Sequence, residues 1–123
     1  MKRRMCKSKI HRATVTDADL NYEGSITIDG VLMDAGDILE YEQVVVVNVS
    51  NGQRFETYAM RGEDNSGKMV VNGAAARLVH RGDLIIVFTY AEYDEKELEK
   101  FKPVFVFVDA QNRIRERLDS SPR

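Results

Sequence analysis

Short apolar runs recur along this chain, separated by polar turns, and most follow the two-residue period of a strand. Lys7 to Thr16 predicts an extended segment that ends in a turn at Asp17-Ala18-Asp19. Strict alternation puts Lys7, Lys9, His11, Ala13 and Val15 on one face, charged at one end and apolar at the other. A strand leaving a core for a cleft has that gradient, and so does one whose end is merely solvated. Ser25-Ile26-Thr27-Ile28 alternates up to an Asp29-Gly30 turn, so Ser25 opens a strand. Leu32 to Leu39 predicts a short helix. Val44 to Val47 is β-branched and continuous, the pattern of a strand buried on both faces. Asn51-Gly52 then predicts a hairpin, with a return strand from Gln53 to Met60. In that strand Arg54, Glu56 and Tyr58 share one face, and Phe55, Thr57 and Ala59 the other.

Gly62 to Gly67 reads as a polar loop and Met69 to Val71 as a short strand. Asn72 is placed to cap a helix beginning Gly73-Ala74-Ala75-Ala76. Arg81-Gly82-Asp83 is a turn, and Leu84 to Tyr90 another strand. Asp94 to Lys100 predicts a solvated helix, with Asp94 and Glu97 at capping-box spacing. Pro103 to Val108 is the last predicted strand, and the charged tail from Asn112 to Arg123 is expected to be mobile. The sum is one mainly β domain over residues 1–123, a closed barrel of short strands with short helices.

Composition narrows the function classes. The net charge is −2 and the pI about 5.7, unlike the basic footprint of a nucleic-acid binder. The basic start, Met1 to Arg4, is not followed by the apolar stretch of a signal peptide, and no apolar run approaches the roughly 20 residues of a membrane span. Cys6 is the single cysteine, which fits a reducing cytoplasm and excludes an intrachain disulfide. Two histidines without a ligand motif give no expectation of a metal.

The chemistry centres on Tyr22-Glu23-Gly24-Ser25. A hydroxyl directly after a glycine carbonyl is able to attack it in an N→O acyl shift, and glycine leaves the approach open and accepts a strained turn. The resulting ester eliminates to dehydroalanine, which hydrolyses to a pyruvoyl ketone. Most Gly-Ser pairs are ordinary turns. Lys9, Arg54 and Tyr58 are candidates for an anionic-ligand site, offering a point charge, a planar fork and a proton. A surface Arg and a core-edge Tyr would give the same pattern. Asn72-Gly73-Ala74-Ala75 would present free backbone N–H groups to a carboxylate, or simply start a helix. Thr57 is a candidate to stabilise the oxyanion of the acyl shift. Alternation sets it opposite Tyr58, so the two roles need a bulge or a site that wraps the strand. His11 is a candidate base, but it reads first as a hydrogen-bonded histidine at a cleft edge. Around Ser25 the G-x-S-x-G motif of a serine hydrolase is absent.

Together these stretches resemble the pyruvoyl-dependent aspartate 1-decarboxylase family. The residues that carry the resemblance are Lys9 to Thr16, Tyr22 to Ser25, Asn48 with Asn51-Gly52, Arg54, Thr57-Tyr58, Ser66-Gly67, Asn72 to Ala76, Gly82-Asp83, Pro103-Val104 and Val108-Asp109. The resemblance implies a double-psi β-barrel, a cytoplasmic homotetramer with active sites between subunits, and L-aspartate as substrate. It implies a zymogen that cuts itself between Gly24 and Ser25 into a β chain, 1–24, and an α chain, 25–123, that starts with pyruvoyl. The family reaction forms β-alanine and CO2 through a Schiff base on that group and feeds pantothenate biosynthesis. By the same resemblance Tyr58 is the proton donor, Thr57, Asn72, Gly73, Ala74 and Ala75 are substrate-binding, and Lys9 and Arg54 are the basic residues of the site. Val47 departs from a tryptophan found in some relatives, and a maturation factor is admitted as a partner. The competing reading is a non-enzymatic β-barrel adaptor or nucleic-acid module in which Gly24-Ser25 is only a turn.

Overall fold

A computed structural model describes residues 1–119 of the chain. It is mainly β: β1 (Arg3–Thr14), β2 (Asp17–Asp19), β3 (Ser25–Asp29), β4 (Gln43–Asn48), β5 (Arg54–Gly62), β6 (Met69–Asn72), β7 (Leu84–Tyr93), β8 (Val104–Val108) and β9 (Ile114–Asp119). Two α-helices, α1 (Gly30–Ala35) and α2 (Glu95–Leu98), and a 3-10 helix at Gly73–Leu78 complete it. The strands form one nine-stranded sheet in the order β2-β6-β3-β5-β4-β7-β1-β8-β9. Among the described residues no helix is long and apolar enough to cross a membrane.

The sheet curls around a single core, which holds Ile26 and Val71 from one end of the strand order and Ile10 and Val106 from the other. The form is consistent with the expected barrel, although ladder hydrogen bonds do not close it. Polar bonds bring the ends together instead. Val15 N donates to Asp83 O at 2.8 Å and Thr16 N to Met69 O at 3.0 Å. The Asn112 amide donates to both Thr14 O (2.9 Å) and Gly67 O (2.8 Å), and its oxygen accepts from Thr14 N. Arg117 of β9 reaches Ala35 O of α1.

Several elements follow from sequence. Val44, Val45 and Val46 are buried in β4, and side-chain burial contributes about 1.5–3 kcal/mol for each such residue. Gly52, at φ +78, turns the chain into β5. Asp94 and Glu97 form the full capping box that starts α2.

Four expectations are corrected. Asp17-Ala18-Asp19 is not a turn; it pairs in parallel with Val70 to Asn72, whose ladder groups outweigh its poor strand propensity. Asp29 is buried as the N-cap of α1, accepting from Val31 N, and this moves the helix forward from Leu32 to Gly30. Much of the supposedly mobile tail is β9, antiparallel to β8; positions 120–123 lie outside the described residues. Finally, β1 is not evenly alternating. Arg12 has φ +60 within a register shift between Ile10 and Ala13, so Ile10 and Ala13 both enter the core. The bulge breaks the predicted face after His11.

Candidate active site

Ser25 opens β3 beside the end of β6, its Cα opposite that of Asn72 in the antiparallel ladder. The residue is 1% exposed, yet it forms part of the wall of a cavity of about 330 Å³. Asn72 Nδ2 donates to Ser25 Oγ and to Thr27 Oγ1, both at 3.1 Å. Ser25 Oγ also makes a long 3.4 Å contact to Glu23 O, so the hydroxyl folds back toward the chain before Gly24. Gly73, at φ +75, presses on this segment: a Cβ there would lie 2.6 Å from Gly24 Cα. Glycine at 73 allows so close an approach of the two backbones, whereas a Cβ on Gly24 itself would meet nothing within 4 Å.

Neighbouring strands supply the rest of the wall. On β5, Tyr58 and Met60 project to the cavity side, while Ala59 between them is in the core. Tyr41 stacks on Tyr58 with ring centroids 5.9 Å apart. Arg61 reaches the cavity but is bound by Asp34 at 2.8 Å and Asp64 at 2.9 Å. Its hydrogen bonds hold the Asp34 carboxyl below the usual carboxylate range, and the two acids in turn keep the guanidinium protonated. Lys68 is the other cation at the wall.

The predicted site residues do not all converge on Ser25 within one subunit. Ser25, Gly24, Asn72, Gly73 and Tyr58 come together. Arg54 lies four residues from Tyr58, roughly 13 Å along the strand, in a separate cavity with Arg4, Glu56 and Tyr90. Lys9 is paired with Phe88, which is paired with Val45, itself paired with Glu56, placing β1 about three strand spacings, or ~14 Å, from β5. Its ammonium sits 5.0 Å from the Phe105 ring centre, a cation–π contact. Thr57 pairs with the core residue Val44 in an unbroken register, so it faces away from Tyr58 and is not part of the cavity wall. Ala74 is exposed and Ala75 packs against the core, neither lining the cavity.

Two readings change. Asn72 does not cap the following helix with its side chain; the amide is used on Ser25 and Thr27. The His11 ring is not fully hydrogen-bonded: its Nδ1 is buried without a partner, and the ring meets Phe107 edge-on at 5.5 Å. Burial, then the charges of Lys9 and Arg12, push its pKa below the ordinary histidine value. Sequence reasoning missed Tyr41 and Lys68 altogether. Tyr41 lies between the predicted helix ending at Leu39 and the predicted strand starting at Val44, and its contact arises only when β4 and β5 pair.

At Ser25 a hydroxyl directly after a glycine is held by a neutral amide donor at the wall of a cavity that a tyrosine also lines. Comparison with known proteins gives the family. The family model described as aspartate decarboxylase matches residues 1–115. A protein named aspartate 1-decarboxylase from Methylobacillus flagellatus is 55% identical over 122 residues, covering 99% of this chain and 97% of its own. Proteins of the same name from Clostridium botulinum (58%) and Acetivibrio thermocellus (59%) each align over 110 residues, covering 89% of this chain and 87% of theirs. With the model match and these identities over nearly its whole length, the chain belongs to the aspartate decarboxylase family.

Proposed function

We propose that this protein decarboxylates L-aspartate to β-alanine and CO2 after cutting itself between Gly24 and Ser25, and that its product feeds pantothenate synthesis in the cytoplasm. The observation that carries the reading is the Asn72–Ser25 contact at the cavity wall. It fits a pyruvoyl precursor: the hydroxyl follows a glycine carbonyl, is fixed by a hydrogen bond, and opens on a space of ligand size.

Self-cleavage needs only groups of the chain and one water. Ser25 Oγ attacks the Gly24 carbonyl carbon; the new C–O bond forms as the C–N bond breaks, giving an ester and a free Ser25 amine. Loss of the Ser25 α-proton expels the Gly24 carboxylate and leaves dehydroalanine. Water then displaces ammonia, leaving the ketone at residue 25. Holding hydroxyl and carbonyl together supplies roughly 7–11 kcal/mol of such a barrier.

Once formed, the pyruvoyl group provides an electrophile for the substrate amine and a sink for the electrons left behind as CO2 departs. Tyr58 shares the Ser25 cavity and is assigned to deliver the proton to the substrate carbon. A cation on the departing carboxylate would stabilise the ground state more than the transition state, so the basic residues are assigned to the retained β-carboxylate. Arg54 and Lys9 lie too far from Ser25 in their own subunit for that task. They lie toward the outward side of the sheet, among the half-buried Val47, Ile86, Phe88 and Phe105. An apolar outward face of that kind marks an association surface. It supports a homotetramer in which a neighbour completes each site. The test is intact mass during incubation, together with β-alanine formation from L-aspartate. A single uncut chain without activity would refute the proposal.

A further inference from the structure

Tyr41 precedes β4 with φ +68, in the left-handed region. Glycine takes that conformation freely and asparagine tolerably, but a bulky aromatic residue there is an outlier. Burial does not account for it, because Tyr41 is 71% exposed. What the ring does touch is Tyr58, stacked at 5.9 Å with 26° between planes, and both tyrosines line the Ser25 cavity.

The backbone around it is fixed. Tyr41 N donates to Ala59 O at 2.7 Å, and Ala59 N donates to Glu42 O at 2.9 Å. These two bonds clamp residues 41 and 42 to the residue next to Tyr58. The left-handed turn therefore aims the ring across Tyr58 and keeps it there. Strained backbone at the wall of a reactive cavity is a recurrent sign that conformation serves the chemistry.

We infer that Tyr41 is a positioning residue that holds Tyr58 in the orientation from which it delivers its proton. The inference rests on the assignment of Tyr58 made above. A ring stacked on one face of Tyr58 restricts its side-chain rotation, and a donor displaced by about 1 Å loses on the order of a hundredfold in rate. A bystander Tyr41 would leave kcat untouched.

The experiment compares Tyr41→Asn, which removes the ring and suits the backbone, with Tyr41→Phe, which keeps the ring. Each is measured for extent of self-cleavage by intact mass, for kcat and KM with L-aspartate, and for Tm. Tyr41→Asn is expected to be cut like the parent, to lose about ten- to a hundredfold in kcat with KM within about twofold, and to keep a Tm at or above the parent's. Tyr41→Phe is expected to match the parent throughout. An uncut Tyr41→Asn chain, a parental kcat, or a kcat and Tm that fall together would each overturn the inference. Tyr58→Phe, run alongside, separates the two readings. If it is slow while Tyr41→Asn is fast, only the positioning role is lost. If Tyr58→Phe itself turns over at the parental rate, the proton-donor assignment falls and takes this inference with it.

Discussion

Asn72 Nδ2 stands 3.1 Å from Ser25 Oγ, across the ladder pair that joins β6 to β3. The same amide bonds Thr27 Oγ1, so one side chain orders both hydroxyls of the strand opening. In the proposed cleavage of the Gly24–Ser25 bond, this contact holds the attacking hydroxyl before the reaction starts.

Ser25→Ala should remain one chain of full length, and Asn72→Ala should still cut, but more slowly. Losing a neutral hydrogen bond of about 0.5–1.5 kcal/mol corresponds to roughly a two- to twelvefold loss of rate. A time course of intact mass measures both. A Ser25→Ala chain that broke at this bond would end the acyl-shift account.

Gly73→Ala should damage both stability and processing. The added Cβ would meet Gly24 Cα at 2.6 Å and Gly24 N at 2.9 Å, and the residue would keep an unfavourable φ of +75. Strain of that kind costs about 1–3 kcal/mol. Thermal denaturation in a Ser25→Ala background isolates the stability effect from cleavage. An unchanged Tm there would mean the Tyr22–Ser25 segment moves aside freely.

How much of this was legible in sequence depends on where each signal resides. Val44 to Val47 announces β4 because β-branched burial is a local pattern, and Asp94 with Glu97 announces α2 because a capping box is read over four residues. β9 is silent, since Ile114–Asp119 is exposed on both faces and is held by backbone bonds to β8 that leave no hydrophobic imprint. The Arg12 bulge is silent too, as nothing in a run of alternating residues marks where a register will slip. At the site, Gly24-Ser25 and Tyr58 are legible as chemistry, while the Asn72 amide and the Tyr41 ring acquire meaning only through strand pairing. The separation of Lys9 and Arg54 from Ser25 is invisible without the sheet order.

Association through the outward face is testable at Phe88, which is half-buried on β7, the strand between β4 and β1. Phe88→Glu places a charge there without entering the core, where the neighbouring Val87 is packed. Light scattering should show a smaller assembly than the tetramer proposed for the parent, circular dichroism should show the fold retained, and decarboxylation should be lost. A variant with parental mass and activity would exclude this face as the interface.

The pH dependence of stability has a defined sign at Asp83. Its Oδ2 accepts from Asn48 Nδ2 at 2.8 Å and from His80 N at 2.9 Å, and these bonds, Asn48 first, depress its pKa. A carboxyl depressed in the folded state contributes stability that is complete above its unfolded pKa of about 3.9 and is lost as pH falls through the folded value. Asp34 and Asp109 are depressed as well, so the parent should lose stability steeply below about pH 4. Asp83→Asn should start less stable at pH 7 and fall less on acidification. Parallel curves of Tm against pH for parent and variant would contradict the role given to this carboxylate.

The roles assigned to Tyr58 and Arg54 predict different kinetic defects. Tyr58 shares the cavity of Ser25 and is assigned to a step after CO2 departs, so Tyr58→Phe should lower kcat far more than it raises KM. Arg54 lies in another cavity of its own subunit and is assigned to a neighbour's substrate carboxylate, so Arg54→Ala should raise KM instead. Loss of a charge-assisted hydrogen bond of about 1.5–3 kcal/mol corresponds to roughly ten- to a hundredfold in affinity. Both variants must first be shown by mass to be fully cut, because an uncut chain would mimic either defect. Mixed assembly gives a sharper form of the test. If sites are shared, tetramers assembled from Arg54→Ala subunits and Ser25→Ala subunits should regain some sites that combine an intact Arg54 with a cut Ser25. Activity in the mixture above the sum of the separate variants is the expected result. Strict additivity, with a normal KM for Arg54→Ala alone, would remove Arg54 from substrate binding and leave the self-cleavage at Ser25 untouched.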